Sequence, residues 1–233
     1  IIYPATGKDR ARVDMGDIEK LDDGEFLNDN LIVFYLRWLQ DQIERNHPEM
    51  AKRIYFQNTF FYQKLAKSEK GTKSINYEAV KKWTSKVDLL SKDYIIIPIN
   101  EHAHWYVAII CNAPKLLPGA EAMNSSQSQD ADTTKKSRRK SGPPPRKHNP
   151  KEFRIITLDS LGGSHTVTCS NLKDYLVMEI KDKKNIDIER PGSIGTTAKG
   201  IPMQNNYYDC GLFLLSYVEM FLKSPDEFIS GIL

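Results

Sequence analysis

No stretch of this chain approaches the ~20 consecutive apolar residues of a membrane-spanning helix, and no secretory leader pattern opens it. A membrane partner is therefore not expected. The chain begins at Ile1 rather than Met and is expected to be part of a longer protein. Cysteine is scarce, with Cys111, Cys169 and Cys210 the three among 233 residues. An odd, sparse set is no disulfide framework and fits a reducing compartment, cytosol or nucleus. Each thiol is then either a small buried hydrophobe or a reagent. The His and Cys spacings form no metal-ligand cluster, so neither a metal nor a cofactor is expected. Internal repeats are also absent. Net charge is low at +3 and unevenly placed. Residues 113–150 hold eight Lys or Arg against three Asp or Glu, leaving 25 basic and 27 acidic residues elsewhere. The body of the protein is therefore not a cationic nucleic-acid platform.

What is present reads as one α+β domain spanning 1–233. Ile32, Tyr35, Leu36, Leu39 and Ile43 share one helical face, so Asn28–Arg45 is predicted helical with Asn28 or Asp29 as its cap. A second helix is expected over Tyr77–Val87 and a short one over Asn58–Leu65. Tyr94–Ile99, Trp105–Cys111 and Phe153–Leu158 are continuous apolar, β-branched runs, the pattern of strands covered on both faces. Leu172–Lys183 and the strongly apolar Cys210–Leu222 complete the pattern as helices. Residues 113–150, with Pro143-Pro144-Pro145 and a Lys135–Lys140 basic run, have few large apolar side chains to offset ordering entropy. They are expected to form a disordered insertion between two strands. The basic run suits a nuclear-localisation patch, a partner-docking site, a solvated tail or weak nucleic-acid contact.

Chemistry concentrates at a few positions. Cys210 sits in Tyr208-Asp209-Cys210-Gly211 at the start of the apolar helix. A helix N-terminus offers partial positive charge and free N–H groups, which favour the thiolate that acts as nucleophile. Gly211 would let a substrate carbonyl approach the backbone. Cys111 ends a strand, and Cys169 has no helix dipole aimed at it. A nucleophilic cysteine needs a base. Among His47, His102, His104, His148 and His165, His104 opens a strand and has the most rigid backbone; His165, after Gly162-Gly163, suits a turn. Asp159 ends the next strand and could take the Nδ1 proton of that histidine, although a turn-forming Asp before Gly162-Gly163 reads equally well. Gln204 lies six residues before Cys210 and could join its backbone N–H in an oxyanion hole, or be an ordinary loop residue.

Phe26-Leu27-Asn28-Asp29, Phe60-Phe61-Tyr62, His104-Trp105, Leu158-Asp159-Ser160, Gln204 and Asp209-Cys210-Gly211 run in order over nearly the whole chain. In this the sequence resembles the ubiquitin-like-protein-specific (SUMO or sentrin-specific) cysteine proteases. The resemblance implies a papain-like fold with the permuted order His, Asp, Cys, a mixed sheet flanked by helices. It implies His104, Asp159 and Cys210 as catalytic triad and Gln204 as oxyanion donor. Trp105 would roof a tunnel narrow enough to admit only a Gly-Gly tail, Phe26 would form its other wall, and Asp29 would pair with an arginine of the modifier. Phe26 stands where many members have Trp. With the long insertion, this resembles the branch that trims poly-SUMO chains. The implied partners are SUMO or a related modifier and its conjugates. The enzyme is expected to be a monomer, located in the nucleus or in nucleus and cytoplasm. Rival readings are a protease for another modifier such as NEDD8, an inactive modifier-binding module and an acyltransferase on the same fold.

Overall fold

The computed structural model describes residues 1–7, 9–67, 74–119 and 148–233. In chain order its elements are β1 (Ile2–Tyr3), β2 (Ala11–Arg12), α1 (Met15–Ile18), α2 (Asp29–Asn46), α3 (Pro48–Arg53), β3 (Ile54–Phe56), α4 (Phe61–Ala66), β4 (Tyr94–Glu101), β5 (His104–Cys111), β6 (Arg154–Leu158), α5 (Thr166–Lys184), β7 (Gly195–Thr197), α6 (Cys210–Lys223) and α7 (Pro225–Ile232). Strands β3 to β7 form one mixed sheet in sequence order. Its central pairs β4–β5 and β5–β6 are antiparallel, and its outer pairs β3–β4 and β6–β7 are parallel.

The apolar runs follow from burial on both faces. Side chains alternate across a strand. Ile96, Val107, Ile109 and Ile156 therefore point into a cluster with α2, α6 and α7. Ile95, Ile97, Ala108, Ile110 and Ile155 point the other way, into a cluster with α4 and α5. Helix α2 lies within one residue of its predicted bounds. Asn28 is its cap, its Oδ1 accepting from the Leu31 N–H at 3.1 Å, so the choice between Asn28 and Asp29 falls on Asn28.

Three expectations change. Tyr77–Val87 is a series of turns closed mostly by bonds from residue i+3 to i, such as Val80 N–H to Tyr77 O and Trp83 N–H to Val80 O. Its polar groups are pinned from outside instead: Tyr77 Oη and Thr84 Oγ1 donate to the buried Glu179 carboxylate of α5 at 2.7 and 2.6 Å. Tertiary bonding overrides a modest helix preference here. Second, α5 begins at Thr166, six residues earlier than predicted, because β-branched Thr166, Val167 and Thr168 hide the helical period. Cys169 is therefore inside that helix's N-terminal part. Third, the insertion expected over 113–150 has ordered ends. Ala113–Leu116 forms a 3-10 turn with Ala113 buried, and Asn112 Nδ2 donates to the Pro150 and Glu152 carbonyls at 2.9 Å each. Residues 120–147 of that insertion lie outside the described residues.

Candidate active site

One end of the sheet gathers the chemistry. The β4–β5 hairpin pairs Glu101 with His104, leaving a two-residue turn in which His102 and Ala103 both have positive φ (54° and 61°). That is the turn whose twist matches a hairpin, made here without the usual Asn-Gly. It makes His104 the first residue of β5. Strand β6 stops at Leu158, paired with Val107, so Asp159 emerges from the sheet beside the hairpin. Helix α6 aims its N-terminus, Cys210, at the same end.

The His104 ring meets Asp159 Oδ1 through Nε2, at 2.7 Å. The sequence reading assigned that bond to Nδ1. A hydrogen on Nε2 suits this contact with the carboxylate, and Nδ1 is the ring nitrogen that Asp159 does not take. Hydrogen bonding to Asp159, and then to the thiol, pushes the His104 pKa up to about 9. Asp159 is 3 % exposed. Burial alone would raise its pKa, but bonds from His104 and His165 and from the Leu161 N–H (2.8 Å) outweigh burial and hold the carboxyl far below its ordinary range. Cys210, 1 % exposed, shows the same contest. Burial opposes ionisation, yet the His104 imidazole and the backbone at Trp105 and Gly211 lower the thiol pKa. The β5–β6 ladder ends at Val107, so the Trp105 backbone is not tied into it on that side.

The turn before α6 is locked by its own side chains. Asn206 Oδ1 accepts from the Tyr208 and Asp209 N–H groups, and its Nδ2 donates to Asp209 Oδ2 at 2.7 Å. Gln204 is tied at both ends of its amide: Ser160 Oγ donates to its Oε1, and its Nε2 donates to Asn206 O at 2.7 Å. Its backbone N–H reaches Ser160 O at 3.0 Å. One amide hydrogen is thus left for another acceptor. Gly211 has a reason different from the expected carbonyl approach: a Cβ there would lie 2.8 Å from Leu27 Cβ. Leu27 also accepts the Trp105 indole N–H through its carbonyl, at 2.8 Å.

His104, Asp159 and Cys210 are thus brought together, with Gln204 fastened to the residue after Asp159. The three residues expected to line a Gly-Gly tunnel are placed unequally. Phe26 is 45 % exposed and available as a wall. Asp29 is half-buried in the first turn of α2. Trp105 is 1 % exposed, its indole turned into the core and bound to Leu27, so here it is no open tunnel roof. Sequence reasoning passed over Ser160, Asn206 and Leu27, and treated His165 as a turn residue. Only the Leu158-Asp159-Ser160 and Phe26-Leu27-Asn28 motifs carried a signal for two of them.

Known proteins resemble this arrangement. The family described as "Ulp1 protease family, C-terminal catalytic domain" matches residues 25–230. Ubiquitin-like-specific protease 2 of Schizosaccharomyces pombe is 36 % identical over 100 % of this chain and 36 % of its own length. Sentrin-specific protease 7 of Homo sapiens is 31 % identical over 97 % of this chain and 25 % of its own. The chain thus spans little more than a third, or less, of the curated relatives it matches. A crystal structure of a de-sumoylating protease superimposes with TM-score 0.71 at 24 % identity, covering 96 % of this chain and 72 % of that one. The C-terminal Ulp1 protease domain, solved in complex with Smt3, the yeast ortholog of SUMO, gives 0.56 at 22 % identity, covering 95 % and 75 %. The two structures share this mixed sheet with flanking helices. With the family match running over nearly the whole chain, this protein belongs to the Ulp1 protease family.

Proposed function

We propose that the chain is a cysteine isopeptidase that cuts after the C-terminal Gly-Gly of SUMO and trims poly-SUMO chains. Cys210 is the nucleophile, His104 the base, Asp159 the group that orients it and Gln204 the oxyanion donor. The observation that carries this reading is the convergence at one end of the sheet of Cys210, first residue of α6, His104, first residue of β5, and the buried Asp159, whose Oδ1 lies 2.7 Å from the His104 ring. His104 and the backbone at Trp105 and Gly211 lower the thiol pKa against the pull of burial, the direction a nucleophilic cysteine needs. The relatives' names, ubiquitin-like-specific and sentrin-specific protease, support the substrate class.

The geometry supports the following course of reaction. Cys210 Sγ attacks the glycine carbonyl, and the C–O π electrons move onto oxygen. The Cys210 N–H at the start of α6 and the remaining Gln204 amide hydrogen stabilise that oxyanion. His104 then gives its proton to the departing lysine amine as the C–N bond breaks, leaving a thioester. Water, deprotonated by His104, releases the glycine carboxylate and the thiol. Phe26 and the Trp105 backbone flank the tail, and Asp29 meets a basic residue of the modifier. The enzyme acts as a monomer, and the Lys135–Lys140 run favours a nuclear address.

A panel of C-terminally activated modifiers, including SUMO, NEDD8 and ubiquitin, tests the reading by covalent capture. Capture of SUMO alone, lost in Cys210→Ala, is the expected result. Preferential capture of another modifier would overturn the substrate, and capture by Cys210→Ala would overturn the nucleophile.

A further inference from the structure

Asp159 carries two imidazoles. Its Oδ1 faces His104 and its Oδ2 faces His165 Nε2, each at 2.7 Å. The turn that brings His165 there is shaped around the carboxylate. The Gly163 N–H donates to Oδ2 at 3.1 Å, and a Cβ on Gly163 would lie 2.5 Å from that oxygen. Gly162, with φ +73°, makes the bend. His165 is also clamped through its face: its ring lies 3.6 Å, centroid to centroid, and 13° from the Tyr106 ring. The Tyr106 hydroxyl is in turn bonded to Glu101 and to Thr168 at the start of α5. A histidine serving only as a surface turn residue would need none of these contacts.

We propose that His165 is a positioning residue for the reaction: it fixes the Asp159 carboxylate from the side opposite His104, so that Oδ1 stays in the plane of the His104 ring. This inference rests on the triad reading above. The Leu161 and Gly163 N–H groups reach Oδ1 and Oδ2 at 2.8 and 3.1 Å, and His165 adds the shorter bond to Oδ2, at 2.7 Å. Without it the carboxylate turns more freely about Cβ–Cγ, and alignment is a rate term before it is a binding term. His165 also draws charge from Asp159. Without it the carboxylate pulls harder on His104 and makes the imidazolium a weaker acid toward the leaving amine. The groups facing His165 are Asp159 and, through it, His104, and Tyr106 from β5, with Glu101 from β4 on its hydroxyl; Cys169 and Lys173 of α5 line the same surface cavity as His165.

The test uses a fluorogenic SUMO C-terminal amide, with kcat and KM measured from about pH 6 to 10 for His165→Ala, His165→Asn, His165→Gln and Asp159→Asn. Glutamine places an amide N–H near the position of imidazole Nε2, whereas asparagine falls short. The Ala and Asn variants should lose roughly 10- to 100-fold in kcat with KM little changed. Their alkaline limb should move to higher pH, and Gln should recover most of the rate and the wild-type limb. His165→Asn keeps the test alive if the alanine variant does not fold. Wild-type kcat and limb in Ala or Asn, or a Gln variant as slow as Asn, overturns the proposal while Asp159→Asn stays slow. A fully active Asp159→Asn instead overturns the triad reading itself.

Discussion

Strand β5 has a chemically loaded end and an inert one. His104 opens it and Cys111 closes it, seven residues on. Cys111 and Cys210 belong to the same apolar cluster and are almost equally inaccessible. Yet burial drives the Cys111 thiol pKa far above its ordinary value, whereas that of Cys210 falls. Cys169, beside the start of α5, is pushed up to about 11, again by burial first. Desolvation is therefore common to all three cysteines and decides nothing by itself. The difference is a partner that can carry the proton: an imidazole backed by a buried carboxylate, together with backbone polarity at a helix start. A helix N-terminus alone, as near Cys169, is not enough.

The contrast can be broken most severely at the thiols. Cys210→Ala should abolish cleavage in a single-turnover assay, while Cys111→Ala and Cys169→Ala should cut at near the wild-type rate and lose only stability. Asp159→Asn comes next. It should lower kcat by about 10³ to 10⁴ with KM little altered, since the tautomer of His104 is no longer fixed. Gln204→Ala should cost roughly 10² to 10³ in kcat, the usual loss for one oxyanion donor. A change confined to KM in either variant would make that residue a binding group.

Acidity sharpens the same contrast. The rate should fall as pH rises through about 9, where His104 gives up its proton. Stability follows the same linkage. Because the folded pKa of His104 is raised, its stabilising contribution is complete below about 6.5 and is lost as pH climbs through about 9. Asp159 is depressed, so its contribution is present above the ordinary carboxylate range and is lost as acid protonates it. Urea midpoints of wild type and His104→Ala should therefore converge on the alkaline side. A gap that stays constant from pH 6 to 10 would contradict the raised imidazole.

The smallest effect is expected at the hairpin that presents His104. Ala103 holds φ 61°, a region where glycine is unstrained. Ala103→Gly should leave the rate unchanged and raise stability by about 0.5–1 kcal/mol, read as a rise of a few degrees in Tm. A drop in Tm would mean that the added backbone freedom of glycine outweighs the relieved strain.

The sequence disclosed this end of the molecule better than its surroundings. Strands β4, β5 and β6 were legible because their apolar runs are long and buried on both sides. The apolar helix behind Cys210 was legible for the same reason. Three-residue β3 and β7 left no period to read, and they join the sheet by parallel pairing with partners distant in the chain. The residues 77–87 misled because their order comes from Glu179, about a hundred residues away. At the site, Cys210, His104 and Asp159 each adjoin a readable element. His165 does not: its position depends on the path of the turn after Asp159, which local sequence does not encode in any period. The orientation of Trp105 into the core was likewise invisible, because it depends on the Leu27 carbonyl across the fold.

His104, backed by Asp159, lowers the Cys210 thiol pKa, and alkylation measures that directly. In a Cys111→Ala, Cys169→Ala background, the rate of iodoacetamide reaction should be measured against pH for the parent, for His104→Ala and for Asp159→Asn. The parent should react with an apparent pKa below the ordinary thiol value of about 8.5, and both substitutions should move it upward. A parent that titrates like a free cysteine, or one unmoved by loss of His104, would contradict the account.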